Sequence, residues 1–186
     1  VSGEKWRAAR PGPWLGARVT TTQPRPDTGP PGTDADEKTT LLAFLDYLRE
    51  AVAAKAEGLA GQAARAPGVP SGTSLLGLVK HLTAAEHYWF VWAFEGAGDA
   101  PPDLGMTVRA EERAEDILAG YRAAVRRSNE IAGRCDDLGR ACVRPAGRAG
   151  AVRSLRWVLV HMIEETARHA GHADILREQA DGAVGR

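Results

Sequence analysis

The sequence predicts an all-α protein, a four-helix bundle preceded by a disordered N-terminal extension. Three observations lead there. Four long segments place apolar side chains at three- and four-residue steps, the period of an amphipathic helix. The stretches between them are rich in glycine and proline, which interrupt helices. No segment alternates apolar and polar residues over a strand's length, and the Asp-Gly pair at 181–182 lies beyond the last helical pattern.

Residues 1–38 form the extension. They hold six of the eleven prolines, in stretches such as RPGPW and QPRPDTGPPGTDADE, and have no apolar period. Such a segment buries too little apolar surface to offset the entropy of ordering it. Val19 would be the start of translation if a GTG codon upstream was taken too early, which the mass of the native protein would decide. The bundle is expected over residues 39–183.

In TTLLAFLDYLREAVAAKAEGL, Leu41, Phe44, Leu45, Leu48 and Val52 make one stripe, and Gly58 or Gly61 ends the first helix. PGVPSGTS is a loop whose Ser71, Thr73 or Ser74 can cap the next helix. That second helix runs through SLLGLVKHLTAAEHYWFVWAFEG and stops near Gly96. The prolines and glycines of GAGDAPPDLG make a connection. The third helix spans roughly 109–133 and carries Ile117, Leu118, Tyr121, Val125 and Ile131. After a loop through PAGRAG, the fourth runs from near Ser154 to about residue 180.

Lys plus Arg and Asp plus Glu both number 24, so the net charge is near zero. That argues against a nucleic-acid or anionic-membrane surface as the main function. The basic residues are 20 Arg and 4 Lys, a bias that points to a GC-rich, actinobacterial genome. Cys135 and Cys142 lack the spacing of a zinc ribbon or a disulfide framework and read as small buried or loop thiols. No apolar run approaches the ~18 residues of a membrane span. A secretory h-region is also missing, so the expected location is the cytoplasm. Small molecules are the expected partners, and a monomer or homodimer the expected state.

The five histidines are unevenly placed. His161, His169 and His172 fall within HMIEETARHAGHAD, while His81 and His87 sit in KHLTAAEHYW. On the fourth helix Leu155, Met162, Thr166, Ala170 and Ala173 form the core stripe. His161, Glu165, His169 and His172 form a second stripe ~60–90° round from it, at the edge of the core. Glu164 points further out and is expected in solvent. Side chains at i and i+4 stand one above the other, so members of this stripe can converge on one ion. Zinc accepts imidazole and carboxylate together, and three protein ligands leave a fourth position for water or substrate. His81 is the natural third ligand if the second and fourth helices are antiparallel. The residue after His161 is Met162, so the HExxH metalloprotease signature is absent. Spacing stops at a possible metal site and does not say which members of the stripe are ligands.

SLLGLVKHLTAAEHYWF, SLRWVLVHMIEETARHAGHADILRE and TLLAFLDYLRE together resemble the DinB-like metalloprotein superfamily, and more narrowly its DUF664 branch of actinobacterial proteins. The resemblance spans about residues 39–183. It implies an up-down-down-up bundle with a divalent metal held by His81, Glu165 and His169. Most of the superfamily has histidine where this chain has Glu165. The His-Glu-His set is similar to that of mycothiol-dependent maleylpyruvate isomerase. His172, often glutamine in the superfamily, then becomes a neighbour of the ligands. The activity implied is transfer of a low-molecular-weight thiol, mycothiol in an actinobacterium, to an electrophilic small molecule. Zinc is the metal implied, although His₂Glu would accept nickel or iron. A metal-stabilised binding or stress protein and a metal-dependent hydrolase are the alternatives.

Trp89, Phe90, Trp92 and Phe94 read as core packing, with Tyr88 or Trp92 lining a pocket as the lesser reading. His87 lies too far round its helix to join His81. Arg153, Arg156 and Arg168 could orient an anionic substrate, but arginines on helices are usually solvated or paired.

Overall fold

A computed structural model describes residues 29–32, 35–59 and 61–184. Residues 1–28, most of the expected extension, lie outside the described residues. The first helix, α1 (Glu37–Ala56), begins where the Asp36 carboxylate accepts the Thr39 N–H at 3.1 Å and the Thr39 hydroxyl at 2.6 Å. It ends short of Gly58, whose φ of +71° turns the chain. A five-residue helix, α2 (Gly61–Arg65), follows. It was not predicted, because one turn is too short to show a period.

Of the three proposed caps, Ser74 starts α3 (Leu75–Glu86), accepting the Gly77 N–H at 3.1 Å. The second predicted helix does not stay α-helical to Gly96. From His87 to Phe94 it widens into a π-helix, closed by the Glu95 N–H donating to the Phe90 carbonyl at 3.0 Å. Helix α4 (Ala114–Gly133) starts later than the expected 109. The Glu112 carboxylate accepts the Arg109 N–H at 2.7 Å, which holds those residues in a turn instead. Helix α5 (Leu155–Asp181) is capped by Ser154 and ended by Gly182 at φ +76°, whose N–H donates to the Glu178 carbonyl. Among the described residues the extended pairings are two isolated antiparallel bridges, Ala141 with Ser154 and Ala146 with Ala151. No described helix is long and apolar enough to cross a membrane.

Cross-contacts give the helix directions. Arg156 at the start of α5 pairs with Glu37 at the start of α1, and Arg177 near the end of α5 donates to the Lys55 carbonyl near the end of α1. These two helices are parallel. Lys38, early in α1, donates to the Gly133 carbonyl at the end of α4, so α1 and α4 are antiparallel. Lys80 meets Glu112 ahead of α4, and Glu95 after the π-helix meets Arg127 and Arg134 late in α4. The second and third long elements, α3 with its π-helix and α4, therefore run together, completing the up-down-down-up bundle. Leu45, Phe90, Leu155, Leu159 and Met162 fill one half of the core. Val52, Leu82 and Tyr121, with Leu75, Leu78 and Leu176, fill the other.

One charged pair lies inside this core. Arg49 and Glu86 are 2% and 1% exposed and bonded twice, Nε to Oε1 at 2.8 Å and Nη2 to Oε2 at 2.6 Å. Arg49 Nη1 also donates to Asp46 and to Asn129 of α4. Burial opposes the guanidinium's charge, but Glu86 more than offsets this and holds Arg49 above its ordinary range. Removing one partner strands the other charge. Arg49→Met or Glu86→Gln should lower the unfolding free energy by about 3–5 kcal/mol in urea titrations. The double variant Arg49→Met/Glu86→Leu should regain most of that loss.

Candidate metal centre

Helices α3 and α5 cross antiparallel: Leu75 and Leu78, early in α3, pack with Ala173 and Leu176, late in α5. Met162 and Thr166 are fully buried, which fixes the rotation of α5 about its axis. Glu165 and His169 are thereby turned toward α3, where His81 stands in the second turn. His81 Nε2 lies 3.1 Å from Glu165 Oε1, and His169 Nε2 lies 3.3 Å from the same oxygen. The two imidazole centroids are 4.9 Å apart at 70°. Each of the three residues offers one ligand atom, and these atoms lie within 4.8 Å of one another. The group could hold a metal ion.

The donor chemistry fits a cation. His81 Nδ1 is 2.6 Å from the carbonyl oxygen of Leu104, which can only accept. If His81 donates its one neutral-form proton there, its Nε2 lone pair faces a carboxylate oxygen. Nitrogen and oxygen lone pairs at that distance need a proton or a metal between them. His169 has the same kind of support, since its Nδ1 lies 3.3 Å from His172 Nδ1 and can donate to it. An acceptor on the far nitrogen is the usual way a metal-binding imidazole is oriented.

Charge and burial agree with this. Burial pushes the Glu165 carboxyl up, but His81 and His169 outweigh it and hold it below the ordinary carboxylate range. Burial also lowers the His169 imidazole, against the pull of Glu165, so it is neutral and able to ligate at pH 7.

The remaining predicted residues sort out around this group. His161 is not part of it: its ring stacks on Trp157 at 5.0 Å and meets Trp89 edge-on at 4.8 Å, and its Nδ1 is 3.5 Å from Glu164. Glu164 is half exposed, as expected, and pairs with Arg168. His87 is exposed. Trp89, Phe90 and Phe94 are buried, and Trp92 is half-buried between Tyr88 and Arg144. Arg156 pairs with Glu37, while Arg153 lies over the Trp157 ring at 4.5 Å. Cys135 and Cys142 are free and buried, and burial pushes the Cys142 thiol up. The sequence reading missed the Leu104 carbonyl, a backbone group with no residue signature. It also missed Trp157, whose placement beside His161 at i, i+4 was readable.

Fold and site define an all-helical bundle with two imidazoles and a carboxylate gathered between antiparallel helices. The family model for mycothiol-S-transferase matches residues 40–182, so the chain belongs to that family of thiol-dependent transferases. The DinB-like resemblance therefore holds. No curated protein matches the chain.

Two outcomes follow from the donor geometry. His172→Ala should weaken divalent-metal affinity by about 10–100-fold while leaving the stoichiometry unchanged, as read by chelator competition. Protons compete for the same nitrogens, and His169 sits below the free imidazole value. Metal uptake should therefore be flat from pH 8 to about 6.5 and fall away at lower pH. Equilibrium dialysis across that range tests the sign.

Proposed function

We propose that the protein transfers a low-molecular-weight thiol, mycothiol, to an electrophilic small molecule in the cytoplasm, with Zn²⁺ held by His81, Glu165 and His169. The observation that carries this reading is the convergence of those three donor atoms within 4.8 Å in a chain of the mycothiol-S-transferase family. A zinc ion in that position supplies the positive charge that makes a thiol a thiolate at neutral pH.

The chain's own residues do the rest. Two neutral imidazoles and one carboxylate supply a single negative charge, which leaves a dication's neighbourhood able to attract an anionic sulfur. Leu104 and His172 keep the ligating nitrogens aimed. Trp89, Trp157 and His161 pack against one another further along the α3–α5 seam. In the transfer the S–H proton leaves to solvent and a sulfur–carbon bond forms. The leaving group departs with the electrons of the bond it breaks.

The test is metal analysis and turnover together. Purified protein should carry one zinc, and His81→Ala, Glu165→Ala and His169→Ala should each lose it. With mycothiol and a haloalkyl electrophile the zinc form should outrun the metal-free form by about 10²-fold or more. Zinc retained in all three variants would remove the ligand assignment. A zinc form no faster than the metal-free one would leave a binding protein, and thiol-independent ester cleavage would indicate a hydrolase.

A further inference from the structure

The connection between the π-helix and α4 crosses back over α3 at the point where His81 stands. Three α3 residues on one helix face meet it, Gly77, Lys80 and His81, at i, i+3 and i+4 in the segment GLVKH. Lys80 Nζ donates to the Thr107 carbonyl at 2.9 Å and to both Glu112 carboxylate oxygens at 2.8 Å. Glu112 in turn accepts the Arg109 N–H, and Arg65 of α2 donates to the Arg109 carbonyl at 2.8 Å. Gly77 allows the close approach: a Cβ there would lie 2.6 Å from the Met106 carbonyl oxygen, a contact no side chain tolerates. Met106 packs against the Leu75, Leu78, Ala173 and Leu176 cluster, between α3 and α5. Asp103 accepts the Gly105 N–H at 2.9 Å and tightens the turn that presents the Leu104 carbonyl to His81.

We propose that Lys80 is a positioning residue for the metal centre: it ties residues 103–112 down as a strap whose Leu104 carbonyl fixes His81 in its Nδ1–H tautomer. The inference rests on His81 being a ligand through Nε2. Only the tautomer protonated at Nδ1 leaves Nε2 bare, and a backbone carbonyl selects that tautomer without adding charge beside the ion. The tether lasts across the working pH range, because the Lys80 hydrogen bond, followed by the Arg109 N–H, holds the Glu112 carboxyl below its ordinary range. A lysine adjacent to a ligand in sequence thus acts on it through a loop some thirty residues away, which it holds at Thr107 and Glu112.

Lys80→Met keeps the aliphatic stem and removes the tether. In the full-length protein it should raise the Zn²⁺ dissociation constant by about 10–100-fold in chelator competition, and Lys80→Arg should recover most of that loss. A looser fold would speed exchange of the backbone amides throughout α3 and α5, whereas loss of the strap exposes the imidazole proton alone. The second readout is therefore the His81 Nδ1–H resonance in nitrogen–proton spectra of the zinc form. It should exchange slowly with water in the wild type and rapidly in Lys80→Met. Glu112→Gln cuts the same tether at its other end and should shift both readouts in the same direction. Wild-type affinity with a protected Nδ1–H in Lys80→Met overturns the proposal, provided His81→Ala loses zinc in the same assay. If His81→Ala binds zinc as the wild type does, the ligand assignment itself has failed and the strap's role falls with it.

Discussion

A guanidinium and a carboxylate taken out of water must be paired, and Arg49 and Glu86 meet at the end of α3, where it gives way to the π-helix. Their bidentate contact joins α1 to α3, and Asn129, accepting from Arg49 and donating to Asp46, brings in α4. Three of the four long elements are locked at one level of the bundle. Rotation of α3 about its own axis is locked with them. At 100° per residue, His81 is ~140° round the helix from Glu86, so seating Glu86 against α1 turns His81 away toward α5. The polar core contact and the functional face are two consequences of one helix orientation.

The π-helix beyond that pair creates a different demand, because its wide turn leaves carbonyls that ordinary helix geometry does not satisfy. The loop before α5 answers it. The Arg144 and Val143 N–H groups donate to the Ala93 and Phe94 carbonyls, and the Arg144 guanidinium reaches those of Trp92, Ala97 and Gly98. The same loop's Gly147 N–H donates to the Tyr88 hydroxyl at 3.0 Å. Tyr88 and Trp92, which sequence alone left as candidates for a pocket, are held by this loop. The aromatic half of the bundle is thereby closed, and the other half of the α3–α5 seam carries His81, Glu165 and His169.

What the sequence made legible was whatever repeats on a helix. The core stripe of α5 is buried as its spacing required, and Ser74 and Ser154 cap where capping residues were expected. The widening after Glu86 was hidden for a physical reason. Ala85, Trp89 and Ala93, like Glu86, Phe90 and Phe94, recur at steps of four, which an α turn and a π turn accommodate about equally well. Helix α2 is too short for any period. The strap's carbonyl has no letter in the sequence, and Lys80 reads there only as one more exposed cation beside a histidine.

The choice among the α5 histidines shows where periodicity ends and packing takes over. His161 and Glu165 are as well spaced for a shared ion as Glu165 and His169, so no argument from one helix separates them. The facing helix does. In an antiparallel pair each step forward on one helix is matched by a step back on the other. His81 stands against His169 at 4.9 Å, and Trp89, eight residues further along, stands against His161, eight residues back, at 4.8 Å. The register that gives His169 an imidazole partner thus gives His161 an indole, which can stack or cover it but cannot share a metal. The same register leaves Glu165 between the two levels, within reach of both His81 and His169.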